Sequence, residues 1–301
     1  MRATETTTYR SLQSFLDRTS DTLASLQLQA ATGKRVNRPS DDPTAISPIL
    51  SARTQIQSSD RYIETIETGL DRIDNMDGYL DGIENNLVRL KEIAIATTNG
   101  SLNAQDMSTY ADEVGQIREA LMDAGNAQID GKYLFSGFSE KTAPFVATDP
   151  SLPVSSTNPI IYAGDSGSVE FEIAPNELIE VNLSGDELMF GGVDIFSLVT
   201  SLEEELQANN QTGVQALIDP LEDAANQIRS QRSLKGNVGR RLDTALSNME
   251  QIKIDMEEYR SRYEDADLLE TITEMQKQEQ SFEAALSVTG KVSELSILDY
   301  I

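Results

Sequence analysis

Residues 242–301 read LDTALSNMEQIKIDMEEYRSRYEDADLLETITEMQKQEQSFEAALSVTGKVSELSILDYI. Hydrophobic residues recur here at alternating spacings of three and four: Ala245, Met249, Ile252, Met256, Tyr259, Tyr263 and Ala266. After a slip of phase the stripe resumes at Leu268, Ile272 and Met275, followed by Phe282, Leu286, Val288, Val292 and Leu295. This spacing predicts a helix that buries a narrow seam against another helix. The stretch has no proline, and no glycine before Gly290. One small domain cannot cover so long a seam. Partner helices must come from the rest of the chain or from other subunits.

The other end of the chain offers such a partner. From Tyr9 a second stripe runs through Leu12, Leu16, Thr19, Leu23, Leu26 and Ala30, and Gly33 follows in a C-cap position. Residues 3–8, mostly β-branched and polar, are expected to be poorly ordered in isolation. Residues 1–40 hold six basic and three acidic side chains, a balance of +3. Residues 242–301 hold five basic and fourteen acidic ones, a balance of −9. Two seam-bearing helices of opposite charge are natural partners.

Gly33-Lys-Arg-Val-Asn-Arg-Pro-Ser-Asp-Asp-Pro-Thr-Ala45 is a turn-rich connector. Pro39 and Pro43 break helix, and Asp42 before Pro43 suits an N-cap followed by the first helical residue. A catalytic pairing of Asp41 with Asp42 is disfavoured, because adjacent residues at a cap seldom face one pocket. The next helix carries Ile56, Ile63, Ile66, Leu70, Ile73, Met76, Leu80, Ile83, Leu87, Leu90 and Ala94, ending at Asn99-Gly100. Pro48 lies too far in for the Asp42 cap, so a separate first turn with a new cap at Ser47 is expected. Gly69, Gly78 and Gly82 weaken this helix or mark close contacts. A third helix, about 103–128, repeats the seam with Met107, Tyr110, Val114, Ile117, Leu121 and Ala124.

Composition changes at Gly131. Five of the nine prolines lie between Pro144 and Pro175, and six of the eight Phe between Phe135 and Phe196. Period-two alternation in Val169–Ile173 and Ile179–Leu183 predicts strands, with turns at Asp165-Ser-Gly167 and Ser184-Gly-Asp186. These residues form a small inserted β domain whose acidic turns read as solvated, with no EF-hand loop. Helix returns near Asp194 with Ile195, Leu198, Leu202 and Leu206, ends at Asn209-Asn210, and restarts or kinks at Asp219-Pro220. Arg229, Arg232, Lys235, Arg240 and Arg241 then follow with no acid between Asp223 and Asp243. Without an aromatic platform this run suits salt bridges to the acidic second helix better than nucleic acid.

The fold class is thus mainly α, a long antiparallel helical bundle or coiled coil from both termini with one inserted small β domain. Three parts are expected: 1–42 with 264–301, 43–134 with 194–263, and 135–193. The 301 residues carry a net charge of −26, which opposes binding to nucleic acid or anionic membranes. Cys and His are absent, which removes disulfides, Cys nucleophiles, Ser-His-Asp triads, HExxH metalloprotease sites and the usual zinc sites. No cofactor is implied. The N-terminus lacks an apolar signal core and no run is long enough to span a membrane, so a soluble chain without a cleaved signal is expected.

With this layout, four segments resemble the bacterial flagellin superfamily over the whole chain. They are Gly33–Ala45, Gly131-Lys-Tyr-Leu-Phe-Ser-Gly137, Tyr263-Glu-Asp-Ala-Asp267 and the ending Val292-Ser-Glu-Leu-Ser-Ile-Leu-Asp-Tyr-Ile301. Within it the connector (Arg38, Pro39, Asp41, Asp42, Pro43) and the YLFSG motif resemble the subunits that join hook to filament. The resemblance implies a non-enzymatic, extracellular structural subunit exported through the flagellar type III apparatus. It implies assembly with itself as a ring, contacts to a neighbouring hook-associated junction protein and to flagellin, and an export chaperone on Leu268–Leu298. The assembly seam would be Leu12, Leu16, Leu23, Leu26, Leu268, Ile272, Met275, Phe282, Leu286, Val292 and Leu295. Two other functions were weighed: filament flagellin, and an enzyme acting on extracellular polymers. The enzyme would need convergent carboxylates, whereas the acids here are scattered at helix-surface spacing.

Overall fold

The computed structural model describes residues 2–99 and 103–298, with side chains described for all of these except 2–6, 8, 99 and 292–298. In chain order it runs α1 (Arg2–Thr32), α2 (Pro43–Asn99), α3 (Ala104–Gly125), β1 (Gln128–Ile129), β2 (Lys132–Tyr133), β3 (Phe145–Ala147), β4 (Ile160–Tyr162), β5 (Glu170–Ala174) and β6 (Glu177–Glu180). Then follow α4 (Gly185–Met189), α5 (Ile195–Gln207), α6 (Gln211–Ala216), α7 (Ile218–Glu264) and α8 (Leu268–Leu298). The fold is mainly α, with long helices from both termini and a small inserted region of short antiparallel strands. The chain forms two compact units, Met1–Ser59 with Gln251–Ile301 and Asp60–Glu250.

Several expectations need correction. Residues 3–8 are helical and belong to α1. Pro48 sits inside α2 without a break. A proline in the second turn removes one backbone donor, and the rest of a 57-residue helix carries that loss. The stripe over 242–301 is two helices, and the slip of phase marks their break at Asp265-Ala-Asp267. Ser184-Gly-Asp186 is a helix start, because Ser184 Oγ caps the Asp186 N–H and opens α4. The strand expected over Ile179–Leu183 begins earlier and stops at Glu180.

In the Asp60–Glu250 unit, the predicted seam of α2 is buried from Ile66 through Ile73, Met76, Leu80, Ile83, Leu87, Leu90 and Ala94. From Met76 onward it packs with Met107, Val114 and Leu121 of α3, Leu202 and Leu206 of α5, and Leu221 and Ile228 of α7 in one continuous core. Gly69 meets Leu242, Phe171 and Val181 in ordinary contact, whereas Gly78 and Gly82 face open space. The strands make three separate two-stranded hairpins. The β3–β4 hairpin joins the same core: Phe145 stacks at a tilt on Tyr162, Phe190 and Phe196, with ring centroids 5.3–6.3 Å apart. In β5–β6 the register pairs Phe171 with Ile179 and Glu170 with Glu180.

Charge adds specificity to this core. Of the basic run expected to bridge to α2, Arg229 and Arg232 do so, whereas Lys235, Arg240 and Arg241 find partners elsewhere. Arg232 reaches Asp77, Asp81 and Glu84 at 2.7–2.9 Å, and Arg229 reaches Glu84 at 2.8 Å. The hydrogen bonds Arg232 donates to Asp77 and then to Glu84 push its pKa up. Arg241 pairs with Glu177, and Lys235 donates to the Asn182 carbonyl. Between α3 and α5, Arg118 and Glu203 form a largely buried ion pair.

Candidate assembly surface

The Met1–Ser59 and Gln251–Ile301 unit holds the terminal helices. α1 packs along α8. The α1 stripe lies as its spacing predicts: Thr19 is buried, and Leu12, Leu16, Leu23 and Leu26 are half-buried. On α8 the inward face is Thr271 and Ala285, with Met275 and Phe282 half-buried beside them. The other members of the α8 stripe stay uncovered. Leu268 is 48% exposed, Ile272 42% and Leu286 49%. Val292 and Leu295 lie outside the residues whose side chains are described. At about 100° per residue, Leu268, Ile272 and Leu286 fall within about 40° of one another and adjoin Met275 and Phe282. The apolar stripe is therefore wider than α1 covers. Leu269, at 79% exposure, flanks it, Val288 is exposed on the far side of α8, and on α1 Tyr9, Phe15 and Leu28 are exposed as well.

Both terminal helices meet the rest of the unit at one place. α1 stops at Gly33, whose φ of 70° ends the helix in the left-handed region that glycine tolerates. Lys34 and Asp265 then pair as an antiparallel bridge. Around it the Arg35 N–H donates to the Glu264 carbonyl (2.8 Å) and the Ala266 N–H to the Gly33 carbonyl (2.9 Å). α8 starts at once, because Asp267 Oδ1 accepts from the Leu269 and Glu270 N–H groups. Val36, Ala45 and Ile49, with Ile46 and Tyr263 against them, make a small core at this crossing.

The connector motif builds the crossing. Asp41 Oδ2 accepts from the Arg38 N–H (2.7 Å) and the Asn37 N–H (3.0 Å), and its carboxyl is held below its ordinary pKa chiefly by the Arg38 bond. Asp42 caps α2 through the Thr44 and Ala45 N–H groups, and Pro43 follows as the first helical residue. The Thr44 hydroxyl and Arg35 hold the Asp42 carboxyl at about 2. Arg38 is exposed and lines a 280 Å³ notch with Asp41, Asn37 and, from α1, Asp21, Ser25 and Leu28. Sequence reasoning missed Glu264. Only 1% of its side chain is exposed, yet it meets Lys34 Nζ at 2.5 Å and Arg53 Nη2 at 2.6 Å. Burial alone would raise its pKa, but hydrogen bonds from Lys34 and Arg53 outweigh that and lower it. Among the described residues no cluster of acidic side chains is arranged to hold a metal ion, and no helix is long and apolar enough to cross a membrane.

A pair of terminal helices that leaves an apolar stripe bare defines a class of helical proteins with a surface open to association. Family models name the class. Residues 5–140 match the bacterial flagellin N-terminal helical region and residues 218–301 the bacterial flagellin C-terminal helical region, so the chain belongs to the bacterial flagellin family. It is 23% identical to flagellar hook-associated protein 3 of Escherichia coli (strain K12) over 284 residues, covering 90% of this chain and 80% of that protein. It is 22% identical over 284 residues to the flagellin of Listeria monocytogenes, covering 94% of this chain and 92% of that one. The fold matches the flagellar junction protein FlgL from Legionella pneumophila with a TM-score of 0.59 at 17% identity, over 74% of this chain and 100% of that chain.

Proposed function

We propose that the chain is a non-enzymatic structural subunit of the bacterial flagellum, forming the junction ring between hook and filament. The observation that carries this is the uncovered stripe of Leu268, Ile272 and Leu286 beside a helix pair built from both termini. Exposed aliphatic residues in a row on a chain of net charge −26 mark a surface to be covered, since scattered ones would need no explanation. Other copies cover it in the ring, so burial shared between copies offsets the entropy of ordering the ends.

In this reading residues 1–42 with 264–301 are the assembly part, 43–134 with 194–263 the rod, and 135–193 the outer surface. The seam of Leu12, Leu16, Leu23, Leu26, Leu268, Ile272, Met275, Phe282, Leu286, Val292 and Leu295 works in assembly. The connector residues Arg38, Pro39, Asp41, Asp42 and Pro43 set its geometry. Partners are further copies, a hook-associated junction protein, flagellin, and before secretion an export chaperone on α8. The chain works outside the cell, after type III export. The Listeria flagellin likeness favours a second reading, filament flagellin. Seeded polymerisation separates the two: a junction subunit stops at a ring on hook tips, and growth of filaments from the purified chain would overturn the junction assignment.

A further inference from the structure

Glu264 is an ionised side chain with almost no exposure, and it stands where both terminal helices meet the rest of their unit. Its Oε1 takes Lys34 from the connector and Arg53 from α2, the latter from 211 residues away in sequence. No hydrogen bond from the chain reaches Oε2, which faces Arg260 Nε of its own helix at 3.6 Å. Its backbone carbonyl also accepts from Arg35 and Val36, at 2.8 and 3.2 Å. Nearby, Arg35 is engaged elsewhere, with Asp42 and the Tyr263 carbonyl. Asp265 is exposed. One residue therefore joins the connector, α2 and the end of α7 through side chain and backbone together.

Removing that single charge does more than delete two hydrogen bonds. It leaves Lys34, Arg53 and Arg260 facing one another without the negative charge they share, so the groups that tied the connector to α2 and α7 repel one another. We propose that Glu264 is a charge-operated clasp that closes both chain crossings and sets the register from which α1 and α8 pair. With the clasp shut, the facing ends of the two helices are already adjacent, and pairing proceeds outward as a local event. With it open, two separately tethered segments must find each other.

The test is amide hydrogen exchange on the isolated full-length chain, so its failure leaves the junction assignment untouched. In the wild type the Arg35 and Ala266 amides are the best protected of the terminal part, and protection falls along α1 and α8 away from them. Glu264→Gln, which keeps shape and size, raises exchange at both amides at least about tenfold and leaves α3 unchanged. Rescue separates a clasp from mere packing. Lys34 and Asp265 form a narrow, non-hydrogen-bonded antiparallel pair, which suits a disulfide. The chain has no other cysteine to compete. Adding Lys34→Cys with Asp265→Cys to the Glu264→Gln chain restores protection when oxidised and not when reduced. If Glu264→Gln also deprotects α3, Arg53→Gln replaces it and produces a smaller rise at the same two amides alone. The clasp is overturned by unchanged exchange at Arg35 and Ala266 in these variants, by their lack of protection in the wild type, or by an oxidised bridge that restores nothing.

Discussion

Ile272→Asp tests the assembly surface most directly, because position 272 points outward. In the free chain about three-fifths of Ile272 is already covered, so Asp there costs folding roughly 1 kcal/mol, a share of the ~2 kcal/mol for a fully buried isoleucine. In an assembly the position must be covered. Covering the exposed two-fifths of Ile272 contributes roughly 1 kcal/mol, a share of the ~2 kcal/mol for a fully buried isoleucine. Asp forfeits that and adds a carboxylate with no partner, at about 3–5 kcal/mol for an uncompensated buried charge. The nearby Lys277 already pairs with Glu274 at 3.2 Å. The sum, about 4–6 kcal/mol, lowers the association constant by three to four decades. The assay has two arms: thermal melting of the purified variant, which falls by no more than about 2–4 °C, and electron microscopy of filament attachment in cells carrying it, which falls to background. Normal attachment with Ile272→Asp would refute the reasoning, and Leu286→Asp, at 49% exposure, must agree with it.

Three further outcomes follow from the geometry. Gly137→Ala destabilises the chain by roughly 2–4 kcal/mol in chemical denaturation, since φ is 68° and a Cβ would stand 2.2 Å from the Asp165 carbonyl oxygen. Arg118→Met strands Glu203 in the interior and costs about 3 kcal/mol, or roughly 6–12 °C in melting temperature, and adding Glu203→Leu recovers most of it. Acid titration opens the start of α2 late. The folded Asp42 carboxyl lies at about 2, below its unfolded value of 3.8, so its contribution is complete above 3.8 and is lost as pH falls towards 2. Exchange at Thr44 and Ala45 follows that window, and Asp42→Asn removes the pH dependence while keeping the cap.

Much of the fold was legible because periodicity is a local signal. The α2 seam, the Asp42-Pro43 helix start, the return of helix near Asp194 and the pairing of Arg229 and Arg232 with α2 acids follow from spacing and charge. The phase slip before Leu268 located a helix break, although the stripe read as one helix. What escaped depends on distance or context. Nothing local ties Glu264 to Lys34 and Arg53, since a surface glutamate and a buried one look alike until the chain is closed. Pro48 misled because a long helix tolerates one missing donor, and Ser184 because N-caps and turns use the same residues. Helical spacing placed Leu268, Ile272 and Leu286 on one stripe with Met275 and Phe282, but only the position of α1 shows which part of it is bare.

The paired crossing at Lys34 and Asp265 has a mechanical side. One strand between two helices is a swivel, because its backbone torsions turn freely. Two strands side by side, bonded through Arg35, Val36 and Ala266, are a ribbon, whose strands must turn together. The ribbon therefore holds the terminal pair to the end of α7 and the start of α2 more stiffly than one strand would.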